Sequence, residues 1–340
     1  MTGRQLEPGR RLVGIDVGGT KSLGVTMSPT DDPDNDVALE VIVEQRLVTP
    51  RGDGSNDELI DTLAALARSL CGDLDPSRDA EVVSVGMGVP GLVNRHGVLR
   101  AAPNLDGVAD LRIAELVAER LGAPVWVDND GTCAALAEWQ IGAATGSHDV
   151  VLVTLGTGIG GGVVAGDQLQ RGVNGYAGEF GHMVIDPDGP HCPCGRRGCW
   201  ERYASGSGLA MLAREAAMGG RLHVVIGLAG GDLQAVRGEH VQAAARDGDA
   251  EALAVVDEFA RFVAIGLSNL ANALDPEMFV LGGGLAAGAD VYLEPIERWF
   301  RELLYQPHLR TLPEIVISQW GELSGAVGAS LLPLEETPAT

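Results

Sequence analysis

The chain has 340 residues, 45% of them hydrophobic and 21% charged, with a formal net charge of -23. That length is enough for two domains or one large one, and the apolar share supports a packed core rather than disorder. No apolar run reaches the ~20 residues of a membrane span, residues 1–11 are short and polar, and 47 acidic against 24 basic residues oppose a broad nucleic-acid surface. A membrane protein, a secreted precursor and a polyanion binder are therefore disfavoured, and a cytoplasmic location is expected.

In chain order, residues 12–17 read as a strand, Gly18-Gly19-Thr20 as a turn and 22–27 as a second strand. Residues 28–36, rich in Pro and Asp, read as a solvated loop, and 37–43 as a third strand. Ser55 and Glu58 make a capping-box pair that opens a helix running to Cys71 and stopped by Gly72. Residues 82–88 are predicted as a strand, Val89-Pro90-Gly91 as a turn, and 110–121 as an amphipathic helix ended by Gly122. A short strand at 125–127 and a helix at 131–141 follow.

The pattern then restarts, with a strand at 150–155, a turn at Gly156-Thr157-Gly158 and a strand at 161–164. Residues 13–20, VGIDVGGT, and 151–158, VLVTLGTG, form a weak internal repeat of apolar strand and glycine turn. It suggests two related α/β halves with a cleft between them. A cysteine loop (191–199), a long helix within 249–274 and a strand at 278–281 come next. The turn Gly282-Gly283-Gly284, a helix near 291–304 and a helical tail from Ser324, expected to pack back on the first half, complete the chain. Nothing rich in Gly/Ser or Pro separates the halves, so a hinge is expected rather than a tether. The expected division is a small α/β domain of residues 1–127 plus 324–340 and a large one of 128–323.

Four motifs have the makings of chemistry. In Asp16-Val17-Gly18-Gly19-Thr20-Lys21, glycines let backbone N–H groups approach an anion, Thr20 adds a hydroxyl, and Asp16 at the strand's end is suited to Mg²⁺. The alternative is an ordinary hairpin turn, but Lys21 is the sole lysine of the chain, which favours phosphate. The stretch 156–161 contains G-x-G-x-x-G, yet a short β-branched run follows where a dinucleotide fold needs a helix. A second phosphate cradle of the strand–turn–strand type fits better.

In Asp128-Asn129-Asp130, the last carboxylate stands at a strand's end, where a general base for a hydroxyl is needed. By itself the triplet reads more readily as a helix N-cap. His182, Cys192, Cys194 and Cys199 supply three thiolates and an imidazole for a closed tetrahedral Zn²⁺ site, against the alternative of free thiols. His191 is the less suitable imidazole, since it adjoins Cys192. Glu179 and Glu201 flank this cluster; without a metal, surface ion pairing would be their natural role.

Together these residues resemble the ROK family of sugar kinases, within the actin-like ATPase superfamily. The resemblance runs from Gly14 to about Leu331. It rests on 16–21, Asn129-Asp130, 155–162, the GEFGH of 178–182, the CPCGRRGCWE of 192–201 and Gly282-Gly283-Gly284. The run 199–205, CWERYAS, is similar to that of the family's ATP-dependent glucokinases.

The resemblance implies an α/β, two-domain actin-like ATPase (ribonuclease H-like) fold with a hinge cleft, and ATP-dependent phosphorylation of a hexose, glucose first, at its 6-hydroxyl. Asp130 would be the base. Gly91, Asn104, Asn129, Asp130, Glu179, His182 and Glu201 would lie at the sugar. Asp16, Gly18, Gly19, Thr20, Lys21, Thr157, Gly158 and Gly283 would hold Mg-ATP. His182, Cys192, Cys194 and Cys199 would bind a structural Zn²⁺, and the molecule would be a homodimer.

The chain departs from the family at Gly131-Thr132, where Ala-Asn is frequent, at Pro193, and at Asp106-Gly107-Val108, which lacks an aromatic. An N-acetylhexosamine (GlcNAc or ManNAc) as acceptor, polyphosphate as donor, and a sugar-responsive regulator are the alternatives. The acidic segment 31–36 has no role assigned.

Overall fold

Alternation along the first strand organises one half of the molecule. The structure is a computed structural model and describes residues 10–30, 39–50, 55–72, 82–102, 105 and 108–335. In chain order the elements begin with β1 (Arg11–Val17), β2 (Lys21–Pro29), β3 (Leu39–Val48), α1 (Ser55–Cys71) and β4 (Val82–Val89). Short strands β5 (Leu92–Val93), β6 (Leu99–Ala101) and β7 (Ala109–Leu111) precede α2 (Ile113–Leu121), β8 (Val125–Asn129) and α3 (Asp130–Ile141). Then come β9 (Val150–Leu155), β10 (Ile159–Val164), α4 (Glu201–Ala204), α5 (Gly206–Met218), α6 (His223–Leu228), α7 (Gly238–Arg246) and α8 (Ala250–Leu274). The last are β11 (Met278–Gly282), α9 (Ala289–Leu303), β12 (Glu314–Ile317) and α10 (Ser324–Glu335).

Contacts divide the chain into two units, Met1–His148 with Gly162–Gly178 and Glu322–Thr340, and Asp149–Gly161 with Glu179–Gly321. The division differs from the one expected at residue 127, because α3 packs against α10 and so stays with the first unit.

The first unit carries a five-stranded sheet of order β3-β2-β1-β4-β8, antiparallel through β1 and parallel beyond it. Side chains alternate across a strand. Val13, Ile15 and Val17 join Leu59, Ile60 and Leu63 of α1 in a fully buried cluster. Gly14 and Asp16 therefore take the other face, where α10 lies. A Cβ on Gly14 would collide with the Ala326 carbonyl oxygen, and one on Gly86 of β4 with that of Ala329. The small residues of 324–330 (SGAVGAS) are buried throughout, so helix and sheet approach almost backbone to backbone.

In the second unit β9, β11 and β12 run parallel, with Met278 opposite both Val150 and Glu314. The sheet order is β10-β9-β11-β12. Helix α8 is capped by Asp249, whose carboxylate accepts the Ala252 N–H at 2.8 Å, and packs along α9, α7 and α5.

Two sequence expectations are corrected. The helix predicted over 110–121 begins at Ile113, because Leu111 is paired with Leu99 in a small antiparallel sheet. Helices α5, α6 and α7 and strand β12 were not foreseen. Residues 31–36 lie outside the described residues.

Candidate functional site

Where β1 ends, the chain turns through Gly18-Gly19-Thr20 into β2. The Gly18 N–H donates to the Lys21 carbonyl at 3.0 Å, and the Thr49 hydroxyl donates to the Gly18 carbonyl at 2.7 Å. The turn is thus held from behind, and the side chains of Thr20 and Lys21 are exposed. The corresponding turn in the second unit closes in the same way, Gly156 N–H to Gly158 carbonyl at 3.0 Å. A strand, β10, follows it rather than a helix, which excludes the dinucleotide reading of the glycine pattern.

Asp16 is half-buried beside Gly325 of α10, where a Cβ would come within 2.8 Å of its carboxyl carbon. Burial first, and then the charge of Asp130, push the Asp16 carboxyl up to about 7. A buried carboxyl raised by a neighbouring carboxylate suits a divalent cation.

Asn129 and Asp130 sit at the junction of β8 and α3. Asn129 is the N-cap, its Oδ1 accepting the Thr132 N–H at 3.1 Å. Its Nδ2 donates to the Gly91 carbonyl at 3.1 Å, which joins two of the expected sugar residues. Gly91 has φ 102° and a Cβ there would strike the Ala101 carbonyl oxygen, so only glycine fits. Asp130 Oδ1 accepts the Gly131 N–H at 2.8 Å. The cap is Asn129 and the candidate base is the next residue, so the capping role does not occupy the Asp130 carboxylate. Asn104 lies outside the described residues.

In the second unit the cysteine loop is closed by backbone bonds from Cys192 N–H to the Arg196 carbonyl at 2.8 Å and from Gly198 N–H to the Pro190 carbonyl at 2.9 Å. Gly198, at φ 64°, lies so tightly on Asp186 that a Cβ would overlap its carbonyl. The ligand atoms of His182, Cys192, Cys194 and Cys199 all lie within 4.8 Å of one another. Cys194 and Cys199 sulfurs are 3.5 Å apart, and Cys192 Sγ is 3.8 Å from His182 Nδ1. Tetrahedral bonds of about 2.0–2.3 Å require edges of roughly 3.5–3.8 Å, so the donor set fits zinc. His191 is drawn off instead, its Nε2 lying 2.6 Å from Arg197 Nη1.

Around this cluster stand the two glutamates. Glu201 Oε1 accepts from the Cys192 thiol at 3.2 Å and lies 3.8 Å from His182 Nδ1. A Cβ on Gly158 would come within 2.9 Å of Glu201 Oε2. One carboxylate therefore reaches from the cysteine cluster to the second glycine turn. Glu179 lies 4.0 Å from His182 Nε2. Burial pushes its carboxyl up, His182 opposes this and Glu201 adds to it.

Beyond the turn opens a cavity of about 710 Å³, lined by Thr157, Arg202, Arg214, Arg237, Glu239 and Gln242 among others. That is ample for a nucleoside. Gly283, at φ 79°, packs against the Leu155 backbone close by, and Gly284 lines the cavity itself. The buried Nε atoms of Arg202 and Arg214 have no hydrogen-bond partner among the described residues. Neither arginine was singled out from the sequence. Arg202 carried a usable signal, since it directly follows Glu201; Arg214 sits on an unforeseen helix.

The ROK family model matches residues 12–336. A glucokinase of Streptomyces coelicolor is 36% identical over 329 residues, 96% of this chain and 98% of its own. One from Halalkalibacterium halodurans is 35% identical over 325 residues, 95% of this chain and 94% of its own. Among solved structures, a ROK family glucokinase from Streptomyces griseus in complex with glucose and AMPPNP is 34% identical, covers 96% of this chain and 100% of its own, and superposes with a TM-score of 0.82.

Proposed function

Because the chain belongs to the ROK family, with its two-domain actin-like ATPase fold, we infer that it is a glucokinase: it transfers the γ-phosphoryl group of ATP to the 6-hydroxyl of glucose. Beside the likeness to glucokinases over nearly the whole chain, one observation carries this reading. Glu201 touches the metal-type cluster with one oxygen and borders the Gly158 turn with the other, so a hydroxyl-binding group and a phosphate-binding turn adjoin.

Asp130 takes the proton of the 6-hydroxyl as that oxygen bonds to the γ-phosphorus. The bond from phosphorus to the β–γ bridging oxygen breaks, and ADP leaves with those electrons. Asn129, Glu179, His182 and Glu201 bind and orient the sugar hydroxyls, with Asn104 and Gly91 assigned to the same substrate. The Gly18-Gly19-Thr20 turn, the Lys21 ammonium, Thr157, Gly158 and Gly283 hold the phosphates. Asp16 would hold the Mg²⁺ that accompanies ATP, and the ion would supply positive charge to the transferring group.

His182, Cys192, Cys194 and Cys199 bind a structural Zn²⁺. Nδ1 of His182 faces the thiols and Nε2 faces Glu179, which leaves the second nitrogen for the sugar. The 710 Å³ cavity favours a nucleotide over polyphosphate as donor, since a phosphate chain has no base to lodge there. No described helix is long and apolar enough to cross a membrane; the enzyme is cytoplasmic and a homodimer in this reading.

A coupled assay tests it, with glucose, mannose, fructose and N-acetylhexosamines as acceptors and ATP or polyphosphate as donor. Glucose with ATP is expected to give the highest kcat/KM. A preference for an N-acetylhexosamine or for polyphosphate would replace the substrate assignment.

A further inference from the structure

Behind Asn129 and Asp130 lies an ion pair that this chemistry leaves unused. Arg171 Nε donates to Asp128 Oδ2 at 2.6 Å, and the two side chains are only 17% and 10% exposed. Two charges so far out of water need good geometry and further hydrogen bonds to be tolerated. The further bond is informative: the other oxygen of Asp128 accepts the Asn129 N–H at 2.8 Å. Asn129 in turn caps α3 and holds the Gly91 carbonyl. A continuous chain of bonds thus runs from the guanidinium to the residue before Asp130.

The segment that carries Arg171 is itself tied down. Arg95 Nε donates to the Gly172 carbonyl at 2.8 Å. A Cβ on Gly175 would come within 2.6 Å of the Val93 carbonyl oxygen. Charge points the same way. Burial pushes the nearby Cys133 thiol well up, Asp128, Asp16 and Asp130 push it further, and Arg171 pulls it down. Arg171 is thus a cation placed among the carboxylates at this junction.

We propose that Arg171 is a positioning residue for phosphoryl transfer: acting through Asp128, it holds the β8–α3 junction so that Asn129 and Asp130 keep the alignment the reaction needs. The proposal rests on the reading of Asp130 as the base. The bidentate-capable, planar guanidinium suits this task better than an ammonium would.

The test compares Arg171→Met, Arg171→Lys, the double variant Asp128→Asn/Arg171→Met, and Asp130→Ala. For each, kcat, KM for glucose and ATP, and the melting temperature are measured. A misplacement of about 1 Å costs on the order of a hundredfold in rate. Arg171→Met and the double variant are therefore expected to lose about 10- to 100-fold in kcat, with KM for ATP within about twofold. Arg171→Lys recovers part of that loss.

The double variant removes both charges together, so it remains informative if Arg171→Met alone does not fold. A folded double variant with wild-type kcat, or with its whole loss in KM for ATP, overturns the proposal. Asp130→Ala separates the two readings. If it keeps near-normal turnover, the base assignment falls; if it is inactive while the double variant is fully active, only the role of Arg171 falls.

Discussion

Asp130 and Asp16 are both carboxylates of the first unit, yet their surroundings give them different tasks. Asp130 leads α3 beside a polar cap, whereas Asp16 is pressed against Gly325 and raised to about 7 by burial and by Asp130. Replacing Asp130 with Ala is expected to lower kcat by about 10² to 10⁴-fold, the usual share of a general base, with glucose affinity nearly kept. Steady-state kinetics together with calorimetric glucose titration check this. For Asp16 the sign runs toward lower stability at higher pH. The folded state keeps the proton between the ordinary value of 3.8 and about 7, so ligand-free protein loses stability as pH rises through that window. Asp16→Asn removes the penalty. Its melting temperature should exceed that of the wild type at about pH 8, with the gap closing toward about pH 4, as thermal unfolding without nucleotide would show.

Among the elements, Trp200 shows how a site is held from its rear. Its indole is fully buried, its Nε1 donates to the Phe262 carbonyl of α8 at 2.8 Å, and its ring fills the space that a Cβ on Gly266 would need. Cys199 and Glu201 flank it in sequence, so one wedge into α8 fixes a candidate zinc ligand and a candidate sugar-binding carboxylate. Gly266→Ala should cost about 1–3 kcal/mol by overpacking and raise KM for glucose more than KM for ATP, as unfolding curves and kinetics would reveal.

Elements of this sort differ in how plainly the sequence announces them. Strands β1, β9 and β11 show as apolar runs ended by glycine, and the cysteine cluster shows because its spacing is tight. His182 could be preferred over His191 from chain geometry alone, and the Arg197 contact of His191 agrees. Helices α5 and α6 stayed hidden because Gly206, Gly208 and Gly227 interrupt the apolar period that marks a helix, and α7 because it is only nine residues long. β12 is four residues long, too short to stand out. Arg171 carried no local signal, since its partner Asp128 is 43 positions away and only the fold brings the two together.

For the molecule as a whole, the proposed zinc site and the charge set conditions for stability. Removing zinc with a strong chelator should lower the melting temperature and kcat together, because His182 and Glu201 lose their fixed neighbours; elemental analysis should find zinc bound before and absent after. A formal charge of -23 implies self-repulsion, so added salt should raise the melting temperature until screening is complete.

The helix that seals the first sheet comes after the entire second unit in the chain. Strands β1 and β4 thus leave the ribosome long before residues 324–335 exist to cover Gly14 and Gly86. During synthesis this half waits with one side of its sheet bare, open to wrong partners and to chaperones. Asp16 gains its full environment only when that late helix docks, so the proposed Mg²⁺ ligand matures last, although it is made first.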